Sequence, residues 1–296
     1  YSASGAASQT ACTAGTYQPL TGQSSCDDAD AGYYVDSIAA TVQVPCAVGT
    51  YQPTTGQTSC QDADPGYHVP TTASASQTAC NPGTYQPSSG QSSCIDADYG
   101  YYVSSSAAIS QAACAVGTYQ PATGQSSCLD ADAGYYVSTT AATSQIACSL
   151  GTYQPSTGQS SCDDADAGYY VPITAATSQT ACTTGTYQPS TSQASCLDAD
   201  AGYYVDSTAA TSQTACAAGT YQPSTGQTSC LDADAGYYVP SSASSLQIPC
   251  ASGTYQPSAG QVACINASPG YYVPTTAATS QTACSVGTYQ PSAAQS

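Results

Sequence analysis

The sequence predicts a small disulfide-rich repeat array: an extended rod of 34-residue repeats, two 17-residue modules each, with short β-strands and turns and little or no helix. Three observations predict it. The seventeen cysteines fall at gaps that alternate between 14 and 20 residues from Cys12 to Cys284, without exception. A frame x-x-x-Gly-x-Tyr, as in Cys12–Tyr17 and Ala29–Tyr34, returns every 17 residues, with His68 replacing one tyrosine. The β-favouring triplets Thr-Tyr-Gln and Tyr-Tyr-Val each follow a glycine in that frame.

The cysteine spacing sets the period at 34. Residues 1–11 are a partial repeat, followed by repeats at 12–45, 46–79, 80–113, 114–147, 148–181, 182–215, 216–249 and 250–283, and a second partial repeat at 284–296. No insertion or deletion interrupts them, the mark of a one-dimensional stack. The first module of each repeat ends its loop in a cysteine pair such as Cys12 and Cys26; the second has Ala29 and Gln43 at those places.

A 34-residue unit lies below the roughly 40 residues that usually fold without staples. Two cysteines per unit, no CxxC pair and a single histidine argue against zinc and for disulfides in an oxidising, extracellular compartment. Spacing alone leaves two registers open: Cys12 with Cys26, leaving Cys284 over, or Cys26 with Cys46, leaving Cys12 over.

Within a module the strands must be short. Prolines such as Pro19 and Pro53 directly follow Thr-Tyr-Gln and confine it to an edge or turn. The segment STTAATSQIA (138–147) has β-branched threonines and no caps, so a stable helix is not expected there. Tyrosine is the one large side chain available, at about three per repeat, and is expected to form each module's core.

Charge excludes several functions. All 18 acidic residues are aspartates, no lysine or arginine offsets them, and the net charge is −18. Such a chain repels nucleic acid and anionic membranes, so no nucleic-acid partner is expected. No apolar run approaches the roughly 18 residues that span a bilayer, so no membrane span lies in this window. The sequence opens in mid-repeat at Tyr1, without a visible leader. The array is expected to continue past both ends, with the partner of Cys284 at the second residue beyond Ser296.

Catalysis fails on inventory. General acid–base work draws mostly on histidine, glutamate or lysine, and only His68 is present. It occupies the second tyrosine position of its module, matching Tyr34 and Tyr102, and reads as a planar substitute. An enzyme is not expected, nor an organic cofactor.

The aspartates offer the one ion-binding pattern. Asp28/Asp30, Asp62/Asp64, Asp96/Asp98 and Asp130/Asp132 begin a series of D-x-D-x-G strings that runs on to Asp232/Asp234. The string is like the first half of a Ca²⁺ loop, but the distal bidentate glutamate is missing. The competing reading, favoured here, is a side-chain-capped turn leading into glycine.

Covalent glycans are the other expected partner. Asn266-Ala267-Ser268 is an N-glycosylation sequon. Ser156, Thr157, Ser224 and Thr225 stand in QPST strings of the kind found in O-glycosylated stalks.

The stretch CTAGTYQPLTGQSSC (12–26) resembles the small disulfide-closed module of tumour-necrosis-factor-receptor cysteine-rich domains. It is also similar to the ephrin-receptor-like cysteine-rich repeats found in tandem in long extracellular proteins. The resemblance implies within-module pairing: Cys12–Cys26, Cys46–Cys60, Cys80–Cys94, Cys114–Cys128, Cys148–Cys162, Cys182–Cys196, Cys216–Cys230 and Cys250–Cys264. Each closure adds about 3 kcal/mol by restricting the unfolded chain. The sequence departs from the family in having fewer cysteines, with every second module unbridged.

Gly-Thr-Tyr-Gln-Pro is identical in all nine copies. A binding protein needs one unit that differs, typically with aromatic and arginine anchors; a filament needs every unit alike. The expectation is therefore a structural extracellular protein, a glycosylated rod or fibril in which the chain partners copies of itself. The runner-up is a stalk or ectodomain of an adhesin or receptor whose binding head lies outside this window. An ice- or mineral-binding surface is a third reading, weakened because the threonines form no strict Thr-x-Thr array.

Overall fold

The computed structural model describes residues 8–295; residues 1–7 and 296, parts of the two partial repeats, lie outside the described residues. Its regular structure is β1 (Thr16–Tyr17), β2 (Asp27–Asp28), β3 (Tyr33–Tyr34), β4 (Val44–Pro45) and their successors to β32 (Thr282–Ala283), every strand two residues long. Among the described residues each strand pairs only with its neighbour, in sixteen separate two-stranded sheets. No helix occurs among the described residues.

One hairpin is one 17-residue module. In the first, Thr16 lies opposite Asp28 and Tyr17 opposite Asp27, antiparallel; in the second, Tyr33 faces Pro45 and Tyr34 faces Val44. Glycine opens each hairpin, and Gln-Pro or a valine ends its first strand. A two-stranded hairpin of this size is not stable alone, so the packing between modules must hold it.

The contacts divide the chain into two compact units. One comprises Tyr1–Asp132, Tyr136–Ile146 and Thr157–Ser161; the other comprises Ala133–Tyr135, Ala147–Ser156 and Cys162–Ser296. In the first unit a backbone ladder joins each module to the next. The N–H of Gly15 donates to the Val35 carbonyl at 2.8 Å, Gly32 to Gln52 at 2.8 Å and Gly49 to Val69 at 2.8 Å. The second unit repeats it, Gly168 donating to Gln188 at 2.8 Å and Gly185 to Val205 at 2.7 Å.

These glycines have a positive φ, 83° at Gly49 and 83° at Gly117, which disfavours any side chain. A β-carbon on Gly49 would also strike the carbonyl oxygen of Gly90, two modules on. The coils therefore approach to backbone contact, and the interior is thin. Its occupants are small: Cys46, Ala63 and Val69, with their equivalents in other repeats, are buried.

The tyrosines depart from the sequence expectation. Tyr17, Tyr33 and Tyr34 are half-buried, as are their equivalents in most repeats, and flank the core without filling it. The reason is spacing, since an interior narrowed by backbone contact has no room for a phenol ring.

Candidate functional site

Two closures alternate along the chain, and they carry its distinctive chemistry. In the first kind, the bridged modules, eight disulfides join Cys12–Cys26 through Cys250–Cys264, each at a separation of 14 with Cα atoms 5.7 to 5.8 Å apart. The leading cysteine of each is buried in the core, while the trailing one is half-buried. Cys284 has no partner within the chain.

The loop inside each bridge is organised by glutamine. Gln52, only 2% exposed, donates from Nε2 to the Ser59 carbonyl at 2.8 Å, and its Oε1 accepts from the Thr54 N–H at 3.2 Å. Gln86 and Gln120 do the same with Ser93 and Ser127. Thr50 Oγ1 donates to the Ala47 carbonyl at 2.9 Å. The glycine, threonine and glutamine of Gly-Thr-Tyr-Gln-Pro thus each have a structural task. No buried side-chain polar atom is left without a partner among the described residues.

In the open modules a hydrogen-bonded clasp replaces the bridge. The Asp30 N–H donates to Gln43 Oε1 at 2.7 Å, and Gln43 Nε2 donates to Asp30 Oδ2 at 2.6 Å. Asp64 with Gln77, Asp98 with Gln111 and Asp132 with Gln145 repeat the pair at 2.6 to 2.7 Å. In the last full repeat Ser268 replaces the aspartate and keeps only the backbone half, its N–H donating to Gln281 at 2.7 Å. Sequence reading placed Gln43 opposite Ala29; the structure pairs it with the next residue, Asp30.

The first aspartate of each string sits elsewhere. Asp28 ends β2, and its carboxylate lies beside Gly56, as that of Asp62 lies beside Gly90, Asp96 beside Gly124 and Asp130 beside Gly158. The two carboxylates of a string therefore have different neighbours. Among the described residues the one trio of potential metal ligands is His68, Cys80 and Cys94. Cys80 and Cys94 are joined in a disulfide, which leaves no thiolate for a metal.

Two repeats carry an additional aspartate facing a tyrosine across the hairpin, Asp27 opposite Tyr17 and Asp163 opposite Tyr153. Burial, then the Asp30 and Asp27 carboxylates, raises the Tyr17 phenol above the ordinary tyrosine range. Burial, then Asp166 and Asp163, does the same at Tyr153.

The glycan acceptor candidates Ser156, Thr157, Ser224, Thr225 and Asn266 are all exposed. Asn266 is in the strand Ile265–Asn266, paired with Thr254.

Sequence reasoning missed the buried glutamine and the Gln–Asp clasp. Their one signal was repetition, since both glutamines recur at a fixed place in every full repeat.

No curated protein matches this chain as a relative. Residues 236–284 match the family model described as tyrosine-protein kinase ephrin type A/B receptor-like. That stretch holds one complete bridged module, Cys250–Cys264 included, between the hairpins of two open modules, Tyr237–Tyr238 with Ile248–Pro249 and Tyr271–Tyr272 with Thr282–Ala283. Repeats of this kind are typical of extracellular domains and are non-catalytic in general. With eight disulfides recurring every 34 residues, the chain is a tandem array of cysteine-rich repeats, and its stretch 236–284 is similar to the ephrin-receptor-like family.

Proposed function

We propose that the chain is a structural extracellular protein, a glycosylated rod or fibril built from stacked disulfide-closed repeats. The observation that carries this reading is the uniformity of the modules. Within each unit the same glycine ladder, glutamine hub and closure return at the same places. A stack in which each repeat meets only its neighbours has no inherent end, the property a filament requires. No full repeat gathers the large aromatic and arginine anchors that mark a binding hot spot.

Covalent glycans on the exposed QPST hydroxyls and on Asn266 keep such an array in solution, and further copies of the chain are its partners. In this reading the second aspartate of each string serves as a clasp, with no resident calcium. Electron microscopy of the native protein, paired with intact mass, tests both halves. A filament of regular repeat and a mass above that of the bare polypeptide are expected. Monomers with the bare mass would overturn the proposal, and filaments that dissolve in EDTA would restore the calcium reading.

The receptor-like family match favours a second reading, a stalk that carries a binding head elsewhere in a longer protein. Micrographs showing single strands, each with a globular end, would select it.

A further inference from the structure

Seven of the eight bridges have a ring residue 26 places before the trailing cysteine, tyrosine at six of them and histidine at one. His68, the sole histidine, occupies the place held by tyrosine in the other seven full open modules. Its Nδ1 lies 3.2 Å from Cys94 Sγ, and the imidazole and the two sulfurs of the Cys80–Cys94 bridge lie within 4.8 Å of one another. Cys80 is 0% exposed, whereas Cys94 and His68 are half-buried. A thiol arriving from solvent therefore meets the bridge at Cys94, beside the imidazole.

We propose that Cys94 is a thiol-acceptor site, at which a low-molecular-weight thiol forms a mixed disulfide with His68 moving the proton. Disulfide exchange requires a thiolate nucleophile and a leaving sulfur that takes up charge. Imidazole both accepts and donates a proton near neutral pH, which a phenol does not. His68 takes the proton of the incoming R–SH, and the thiolate attacks Cys94 Sγ. The Cys80–Cys94 bond breaks with its electron pair on Cys80 Sγ, which recovers the proton from His68. The products are R–S–S–Cys94 and the Cys80 thiol, so atoms and electrons balance with no further oxidant or reductant.

The six bridges that have tyrosine at that place are internal controls in the same molecule. The folded protein is exposed to glutathione without denaturant, quenched with iodoacetamide and mapped with a non-tryptic protease. Cys94 should acquire glutathione at least about tenfold faster than any other bridged cysteine, a modest figure for positioned proton transfer. His68→Tyr restores the side chain of the other open modules, so it should fold, and it should bring Cys94 level with the rest. Tyr102→His places imidazole in the same relation to Cys128, and should make Cys128 a second fast site. Equal modification of all eight bridges in the native protein would overturn the proposal. So would a Cys94 lead that survives His68→Tyr, or no gain at Cys128.

Discussion

A bridged module such as Cys12–Asp28 and the open module that follows it, Ala29–Pro45, share one backbone and differ in what closes it. Both start from a positive-φ glycine that donates to the next module, and both pair two residues with two. The bridged loop is tied by a covalent bond around a glutamine, the open loop by a carboxylate–amide clasp beside a buried valine. The ladder and the glycine therefore specify the fold, and the closure is exchangeable. A second difference agrees. At the eleventh place of a module, bridged loops mostly use glycine, while open loops use alanine at φ between 53° and 61°. An open edge tolerates a β-carbon in that conformation; the fourth place, against a carbonyl two modules on, holds glycine in both kinds.

The largest expected effect tests that shared glycine. In Gly117→Ala the new methyl group meets the Gly158 carbonyl at a φ of 83°. Left-handed strain and overpacking together should cost about 4 kcal/mol. Gly124→Ala, at the eleventh place, meets only the Asp96 carboxyl at 3.4 Å and should cost within about 1 kcal/mol. Long arrays do not unfold in two states, so local hydrogen exchange is the measurement. Equal costs at the two glycines would break the comparison.

Exchange of closures comes next. Replacing Cys114 and Cys128 by alanine should cost that module about 3 kcal/mol. In the open module that follows, Ala131→Cys with Gln145→Cys places thiols at the same two positions, and a ninth bridge should form. If both thiols remain open to iodoacetamide after oxidation, the two backbones are not equivalent.

The glutamines should rank below the bridges and differ from each other. Gln120→Ala leaves the Ser127 carbonyl and the Ala122 N–H without their buried partner and should cost about 2 kcal/mol. Gln111→Ala removes a clasp that solvent can replace, for about 1 kcal/mol. The same hydrogen-exchange experiment separates them, and a clasp that cost more than the hub would reverse the ranking.

Much of this was legible before the structure. The 34-residue period, the 17-residue module, the scarcity of helix and the place of the strands all follow from Cys12 onward by counting. The glutamines were not legible, because that side chain is ordinarily a surface one and nothing local marks Gln52 as buried. The tyrosines misled for a related reason. Size argues that Tyr34 belongs in the core, but the backbone contact between Gly15 and Gly56 leaves room only for cysteine, alanine and valine. Pattern reports which residues recur; the distance between coils decides which of them fit inside.

The smallest expected effect concerns the two hairpins in which an aspartate faces the tyrosine. Elsewhere that place is often leucine, as at Leu129 opposite Tyr119 and Leu197 opposite Tyr187. Tyr153 is held above the ordinary range by burial first, then by Asp166 and Asp163. Folding thus favours its protonated form, a contribution present below the unfolded tyrosine pKa and lost as pH rises through the higher folded value. Asp163→Leu removes one carboxylate and leaves burial and Asp166 in place, so the Tyr153 titration should move down without returning fully to the ordinary range. Ring-carbon NMR on labelled tyrosine measures this, with Tyr153 assigned from its phenylalanine variant among the 26 tyrosines. An unchanged titration in Asp163→Leu would mean that the cross-strand carboxylate does not act on the phenol. The repeats would then differ there in composition without differing in electrostatics.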